Sequence, residues 1–251
     1  MSLRMYLRNV SDSQRIEALW EAHCNQMADF GFDRLLYGFT RYRTDTSLGD
    51  PEDFVILTNH PREYTDVFLS DSHYFHAPMV QWALQNEGAK SWQHIAEVMR
   101  SEGLSPQARA IYEFNQKMNV TAGYTVSFKS VSARSKGAIA LTAEPGMSQE
   151  DIDAVWEKHG NDITLMNNIV HLKILTLPYN TPSRSLTNRQ REALEWVGDG
   201  KTTQDIAMLM GLTSATVEKH LRLARENLSV ETTAQAVLKA AFANQMFILD
   251  L

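Results

Sequence analysis

The chain has 251 residues, enough for two modest domains with a core each. Its composition, 43% apolar and 22% charged with a formal net charge of −6, is that of an ordinary globular protein, and it excludes a nucleic-acid binder that works by bulk positive charge. Cys24 is the single cysteine, which excludes an intramolecular disulfide; no run of about 18 apolar residues marks a membrane span, and a cytoplasmic location is expected.

From Ser11 or Ser13 to about Phe30, the residues Ile16, Leu19, Trp20, His23, Met27 and Phe30 fall at helical spacing and predict an amphipathic helix that Gly31 ends. Leu35 to Phe39 reads as a strand, and Phe54 to Thr58 as a second. Helices are expected over about 61–70 and 74–86, and another opens at Ser91-Trp92. Ser105-Pro106 is an N-cap with proline in the first helical position, starting a helix that runs to about Met118. Strands at about 122–129 and 137–142 are joined by the polar turn Ser132 to Lys136, and Pro145-Gly146 punctuates. Ser148 opens a long helical region to about Leu177. Grouped in this way, the elements predict an α+β fold over 1–177, an αβα sandwich with an antiparallel sheet. Pro178 to Ser185 has two prolines and no periodicity, and reads as a linker over 178–185.

An all-α domain of four helices is expected over 186–251. Thr187 followed three residues later by Gln190 is a capping-box spacing, and the helix it opens runs to Gly200. Thr202 and Asp205 repeat the device before a short helix that Gly211 ends. Thr213 caps a third helix whose Val217, Leu221, Ala224 and Leu228 must face the other two. The opposite face presents Ala215, Glu218, Lys219 and Arg222, flanked by His220 and Arg225. This is the layout of a helix-turn-helix, whose second helix enters the major groove of double-stranded DNA. A small helical interaction domain with a charged, solvated face fits the same pattern. Acid and base balance beyond Pro182, so the cations must act by placement on one helix. A fourth helix at about 233–247, apolar at Val237, Leu238, Ala241 and Phe242, is expected to join two such heads.

From Leu186 through Ile248 the sequence resembles the DNA-binding domain of LuxR-type regulators, matching LT-x-R, L-x-W, G-K-T, I-A, T-V-x-x-H-L and L-x-V in order. Gln190 replaces a usual acidic residue, and Thr233 a usual arginine. On this reading Lys219 and Arg222 approach bases beside Glu218, Thr216, His220 and Arg225 approach phosphates, and Lys201 reaches the backbone from the preceding turn.

The first domain carries a second resemblance. GFDRLLYGF at 31–39, N-x-P-x-x-aromatic at 59–64, YF-x-x-P-x-V at 74–80, Trp92 and G-x-T at 123–125 are similar, in order and spacing, to the autoinducer-binding domain of LuxR-type quorum-sensing receptors. That resemblance implies an αβα fold enclosing an acylated homoserine lactone, with ligand binding favouring a folded homodimer that binds DNA. Tyr64 stands where a tryptophan donates to the lactone carbonyl, and His60 where a tyrosine stands one turn earlier. Ala77 replaces the aspartate that accepts the ligand amide N–H, Ala140 replaces a serine, and Trp92 and Thr125 keep the family type. Leu36, Gly38, Met79 and Tyr112 complete the candidate ligand residues. A buried N–H left without its acceptor costs roughly 1–3 kcal/mol. Three readings therefore stay open: a lactone held by rebuilt polar contacts, another amphiphilic small molecule, or no ligand, with His60, Tyr64 and Tyr112 as ordinary packing.

Catalytic residues are not expected, since no G-x-S-x-G elbow, carboxylate pair or glycine-rich phosphate loop stands out. His73 and His76 lack a third ligand at recognisable spacing, so neither a metal nor a cofactor is expected apart from the small-molecule signal. The sequence thus reads as a ligand-responsive transcription regulator, not an enzyme, that binds a two-fold symmetric operator as a dimer and has no membrane partner. The alternative is a constitutive DNA-binding regulator whose first domain serves only dimerisation or partner binding.

Overall fold

Strands β1 (Phe32–Thr40), β2 (Val55–Thr58), β3 (Gly88–Ser91), β4 (Gly123–Ser127) and β5 (Lys136–Ala143) form one antiparallel sheet in the order β2-β1-β5-β4-β3. This is a computed structural model; it describes residues 2–69, 73–101, 103–179 and 184–248, and the chain divides into units 1–175 and 176–251. The long central pair β1–β5 runs in register from Phe32 opposite Ala143 to Thr40 opposite Lys136, with a bulge between Phe32 and Arg34.

Side-chain alternation gives the sheet two unlike faces. One carries Leu35, Tyr37, Ile139, Leu141 and Val126, all almost wholly buried. Burying each such side chain stabilises the fold by roughly 1.5–3 kcal/mol. Helices α2 (Ile16–Ala28) and α8 (Gln149–Ile174) cover this face, and α1 (Leu3–Asp12) packs against α8. Trp20 meets Tyr37 with ring centroids 6.5 Å apart, and His171 stacks on Phe128 at 4.1 Å. The other face carries Leu36, Gly38, Ala138, Ala140, Thr142 and Thr125, and small side chains there leave room above the sheet. Helix α5 (Pro78–Gln85) packs on β4 and β5 on that side; α4 (His73–His76) joins it to α3 (Arg62–Leu69) and α7 (Pro106–Lys117). Helix α6 (Gln93–Ser101) follows β3. The result is the αβα sandwich expected.

Several boundaries moved, each for a physical reason. The amino end forms a separate helix, α1, capped by Ser2, because Tyr6 and Val10 lie one turn apart and are buried. Strand β3, GAKS, has none of the β-branched or aromatic residues that mark strands, and exists through its pairing with β4. The helix expected over 74–86 is interrupted at Ala77, which is extended because it precedes Pro78. Helix α8 ends at Ile174 rather than near Leu177, and its start is the capping box of Ser148 and Asp151. Of the expected linker, residues 180–183 lie outside the described residues, as does the side chain of His73. Tyr179 and Arg184, at its ends, bond to Ala243 and Leu228 of the second unit.

The second unit contains α9 (Asn188–Gly198), α10 (Thr203–Met210), α11 (Ser214–Asn227) and α12 (Thr233–Phe242). Capping boxes at Thr187/Gln190 and Thr202/Asp205 form as the spacing predicts, and Gly211 takes the left-handed conformation, φ +66°, that stops α10. Gln190 closes its box without a charge, and its Oε1 also accepts from Asn227 Nδ2. A further box, Thr232/Gln235, starts α12, which ends at Phe242 rather than near 247. Leu194, Ile206, Val217, Leu221, Ala224 and Ala236 form the core, each 0–4% exposed.

Buried histidines make the first unit acid-sensitive. Tyr6 Oη bonds His23 Nδ1 at 2.6 Å, His23 Nε2 bonds Asn167 Oδ1 at 3.1 Å, and Tyr37 Oη bonds His171 Nδ1 at 2.8 Å. Desolvation lowers the pKa of His23, His171 and His60 to about 4 each. The unfolded chain takes up these protons near pH 6.5 while the folded chain refuses them, so the histidines leave stability unchanged from about pH 7 to 8 and lower it as pH drops from 6.5 to 4. At about 1.4 kcal/mol per pKa unit, each site removes up to about 3 kcal/mol, a large share of a typical total of about 5–15 kcal/mol. Urea unfolding at pH 7.5, 5.5 and 4.5 should show this loss, and His23→Gln should flatten part of it. A stability independent of pH over that window would count against the buried, neutral histidines.

Candidate ligand cavity and nucleic-acid interface

Above the small-residue face of the sheet lies a cavity of about 400 Å³. All ten residues singled out in the sequence, Leu36, Gly38, His60, Tyr64, Ala77, Met79, Trp92, Tyr112, Thr125 and Ala140, line it. Gly38 is part of the reason there is space: a side chain there would run toward Ile56, 3.6 Å from where its Cβ would sit. Phe68, Met79, Ile95 and Val120 supply apolar wall.

Polar groups gather at one end. Trp92 Nε1 donates to Thr125 Oγ1, 33 positions later in the chain, at 2.9 Å, and both are buried. Tyr64 Oη donates to Asn115 Oδ1 at 3.2 Å, and the Tyr64 ring stacks on His60, Phe68 and Phe114. Burial pushes the Tyr64 phenol up, so it stays a neutral donor. His60 Nε2 lies 3.4 Å from Thr142 Oγ1, while its Nδ1 is buried without a partner. A buried polar atom left unpaired costs roughly 1–3 kcal/mol, so this nitrogen is suited to a ligand atom. Ala77 is the N-cap of α5 and makes no side-chain cap bond. An aspartate there could both cap the helix and accept from a ligand; alanine does neither.

Asn115 and Thr142 belong to this cluster although sequence reasoning did not select them. Asn115 lies three residues after Tyr112 on α7, and Thr142 two residues after Ala140 on β5, so helical and strand periodicity put each on a face already identified.

In the second unit, α11 buries Val217, Leu221 and Ala224 and leaves Ala215, Glu218, Lys219 and Arg222 exposed, with Thr216, His220 and Arg225 half-buried. Lys201 is exposed immediately before the cap of α10. Three of these side chains already have partners within the unit. Glu218 accepts from Thr203 Oγ1 at 2.9 Å, Arg222 pairs with Glu226, and Arg225 Nη1 donates to Thr233 Oγ1 at 2.9 Å. Thr233, where an arginine is usual, is thus the acceptor that ties α11 to the start of α12. On α12, Leu238 and Phe242 are 53% and 41% exposed.

A cavity of this kind in one unit and a capped helix-turn-helix with a cationic exposed face in the other define a DNA-binding regulator that answers to a small molecule. Comparison with known proteins agrees: residues 15–174 match the autoinducer binding domain, and residues 184–240 match the LuxR family of bacterial regulatory proteins. The chain belongs to the LuxR-type, autoinducer-binding transcription regulators, a family of regulators and not of enzymes. Its partners are accordingly DNA and a small-molecule signal. It is 23% identical to the transcriptional activator AnoR of Acinetobacter nosocomialis over 235 residues, covering 89% of this chain and 90% of that one. It is also 23% identical to the activator ExpR of Dickeya dadantii (strain 3937) over 198 residues, 74% of this chain and 76% of that one. Among solved structures, the N-acylhomoserine lactone dependent factor CepR2 of Burkholderia cenocepacia aligns with a TM-score of 0.52 at 15% identity, covering 68% of this chain and 92% of that one. That likeness concerns the fold. Among the described residues no helix is long and apolar enough to cross a membrane.

Proposed function

We propose that the chain is a cytoplasmic, homodimeric regulator that holds an acyl-homoserine lactone, or a related amphiphile, in the cavity of the first unit and reads a two-fold symmetric operator through α11. The observation that carries this reading is the cavity itself. Its volume falls within the roughly 300–1,000 Å³ typical of small-molecule sites, and its apolar wall with polar groups at one end suits an acyl chain and a head group. A first unit serving dimerisation alone has no use for such a space. In functional terms the chain divides into a ligand domain over 1–177, a linker over 178–185 and a DNA-binding domain over 186–251.

Within that reading, Tyr64, His60, Trp92, Thr125 and Asn115 surround the head group, while Leu36, Gly38, Met79, Tyr112 and Ala140 line the chain. Ala77 supplies no acceptor, so the polar contacts are rebuilt around His60 and Asn115. Lys219 and Arg222 meet bases beside Glu218; Lys201, Thr216, His220 and Arg225 serve the backbone, Arg225 with one N–H committed to Thr233. Leu238 and Phe242 of α12 meet their counterparts in the second copy.

The test is the Tm of the purified protein with acyl-homoserine lactones of graded chain length, with mass spectrometry of co-purified material. A ligand that binds only the folded state at 100 times its Kd adds about 2.7 kcal/mol, a shift of several degrees. An empty, DNA-binding dimer that no lactone stabilises would instead support constitutive regulation.

A further inference from the structure

The cavity has a second polar end. His60 and Tyr64 meet it beside Thr142, whereas Lys136 lines it six positions earlier on β5. Six residues of strand span roughly 20 Å. Between the two ends the floor is Ala138, Gly38 and Ala140.

Lys136 is the one buried lysine among the described residues. It is only 9% exposed, and lysine is seldom so buried unless it is paired. Its Nζ donates to the carbonyl of Asn86, the residue that ends α5, at 2.9 Å. An ammonium has three donors, so among the described residues two of them meet no acceptor. Among the described residues no carboxylate forms an ion pair with it; Glu87, the acidic group that influences it most, is exposed. Arg43 lines the polar recess that continues outward from Lys136 and adds to the positive potential there. Burial works against the charged amine and lowers its pKa, and an anion beside it would reverse that effect. Glu52 also borders this end of the cavity, but it is exposed and screened by solvent.

We infer that the cavity takes an amphiphile with two polar ends, the second an anionic group, in the simplest case a carboxylate, that pairs with Lys136 Nζ. The inference rests on the reading of this cavity as the signal site. It extends that reading by naming a charge at the end of the chain remote from the head group. The purely structural role for Lys136 is to close the carbonyl end of α5, and it predicts no preference for an anion.

The full-length protein is titrated by calorimetry with three probes: N-dodecanoyl-homoserine lactone, the same molecule bearing a carboxylate on its last chain carbon, and the methyl ester of that carboxylate. The acid should bind wild type about 10-fold tighter than the ester, equivalent to about 1.4 kcal/mol. Lys136→Met should bring the ratio near one, and Lys136→Arg should preserve it. Comparing acid with ester on wild type needs no variant to fold. Equal binding of the two, or a preference that survives Lys136→Met, overturns the inference. Binding of the plain lactone alone overturns it too, yet leaves the lactone reading standing; binding of none of the three removes that reading and this inference with it.

Discussion

Arg222→Ala should remove most of the discrimination between an operator and random DNA while leaving the fold intact. The guanidinium stands on the exposed face of α11, and its partner Glu226, one turn on, is likewise more than half exposed. An exposed ion pair contributes about 0–1 kcal/mol, so Tm should scarcely move. A good bidentate base contact, by contrast, carries about 1–3 kcal/mol of discrimination, a factor of about 5–150 in affinity. The operator can be selected from random duplexes with the wild-type protein, and both proteins then measured on selected and scrambled DNA at one salt concentration. If affinity falls equally on both duplexes and the salt dependence weakens by about one phosphate contact, Arg222 is a backbone ligand and the base-reading role passes to Lys219.

Ala140→Trp should abolish the ligand response. Ala140 lies mid-strand on β5, opposite Leu36 on one side and Thr125 on the other, at the centre of the cavity floor. An indole there enters existing space, so the cost to the unliganded protein should stay at or below the roughly 1–3 kcal/mol of overpacking a filled core. What disappears is the ligand-linked stabilisation, about 2.7 kcal/mol at 100 times the Kd. Melting curves of wild type and variant, each with and without a ligand that stabilises wild type, read this directly. A variant that still shifts by the full amount would place the ligand elsewhere in the protein.

The two units were legible to different degrees. In the second, each helix start is announced by a threonine with a glutamine or aspartate three residues on, or by Thr213 with its own first turn, and these caps form within four residues of chain. In the first, the candidate ligand residues were found because the pattern of the chain resembles a family. Asn115 and Lys136 were not found. Asn115 matters because Tyr64, 51 residues earlier, points its hydroxyl at it, and Lys136 because the carbonyl of Asn86, 50 residues earlier, accepts a hydrogen bond from its ammonium. Nothing within a few residues of either position announces those meetings.

Local sequence sets most of the order of elements, the division of labour between a mixed unit and an all-helical one, the caps of the DNA-binding helices and, through Pro78, the break of a helix at Ala77. These are local properties, set by side chains within one turn or one strand of each other. Only the folded chain makes the amino end a helix and GAKS a strand, and only there does the cavity gain a histidine at one end and a lysine at the other. Each depends on what a segment packs against, and that partner is supplied only when distant parts of the chain have been brought together.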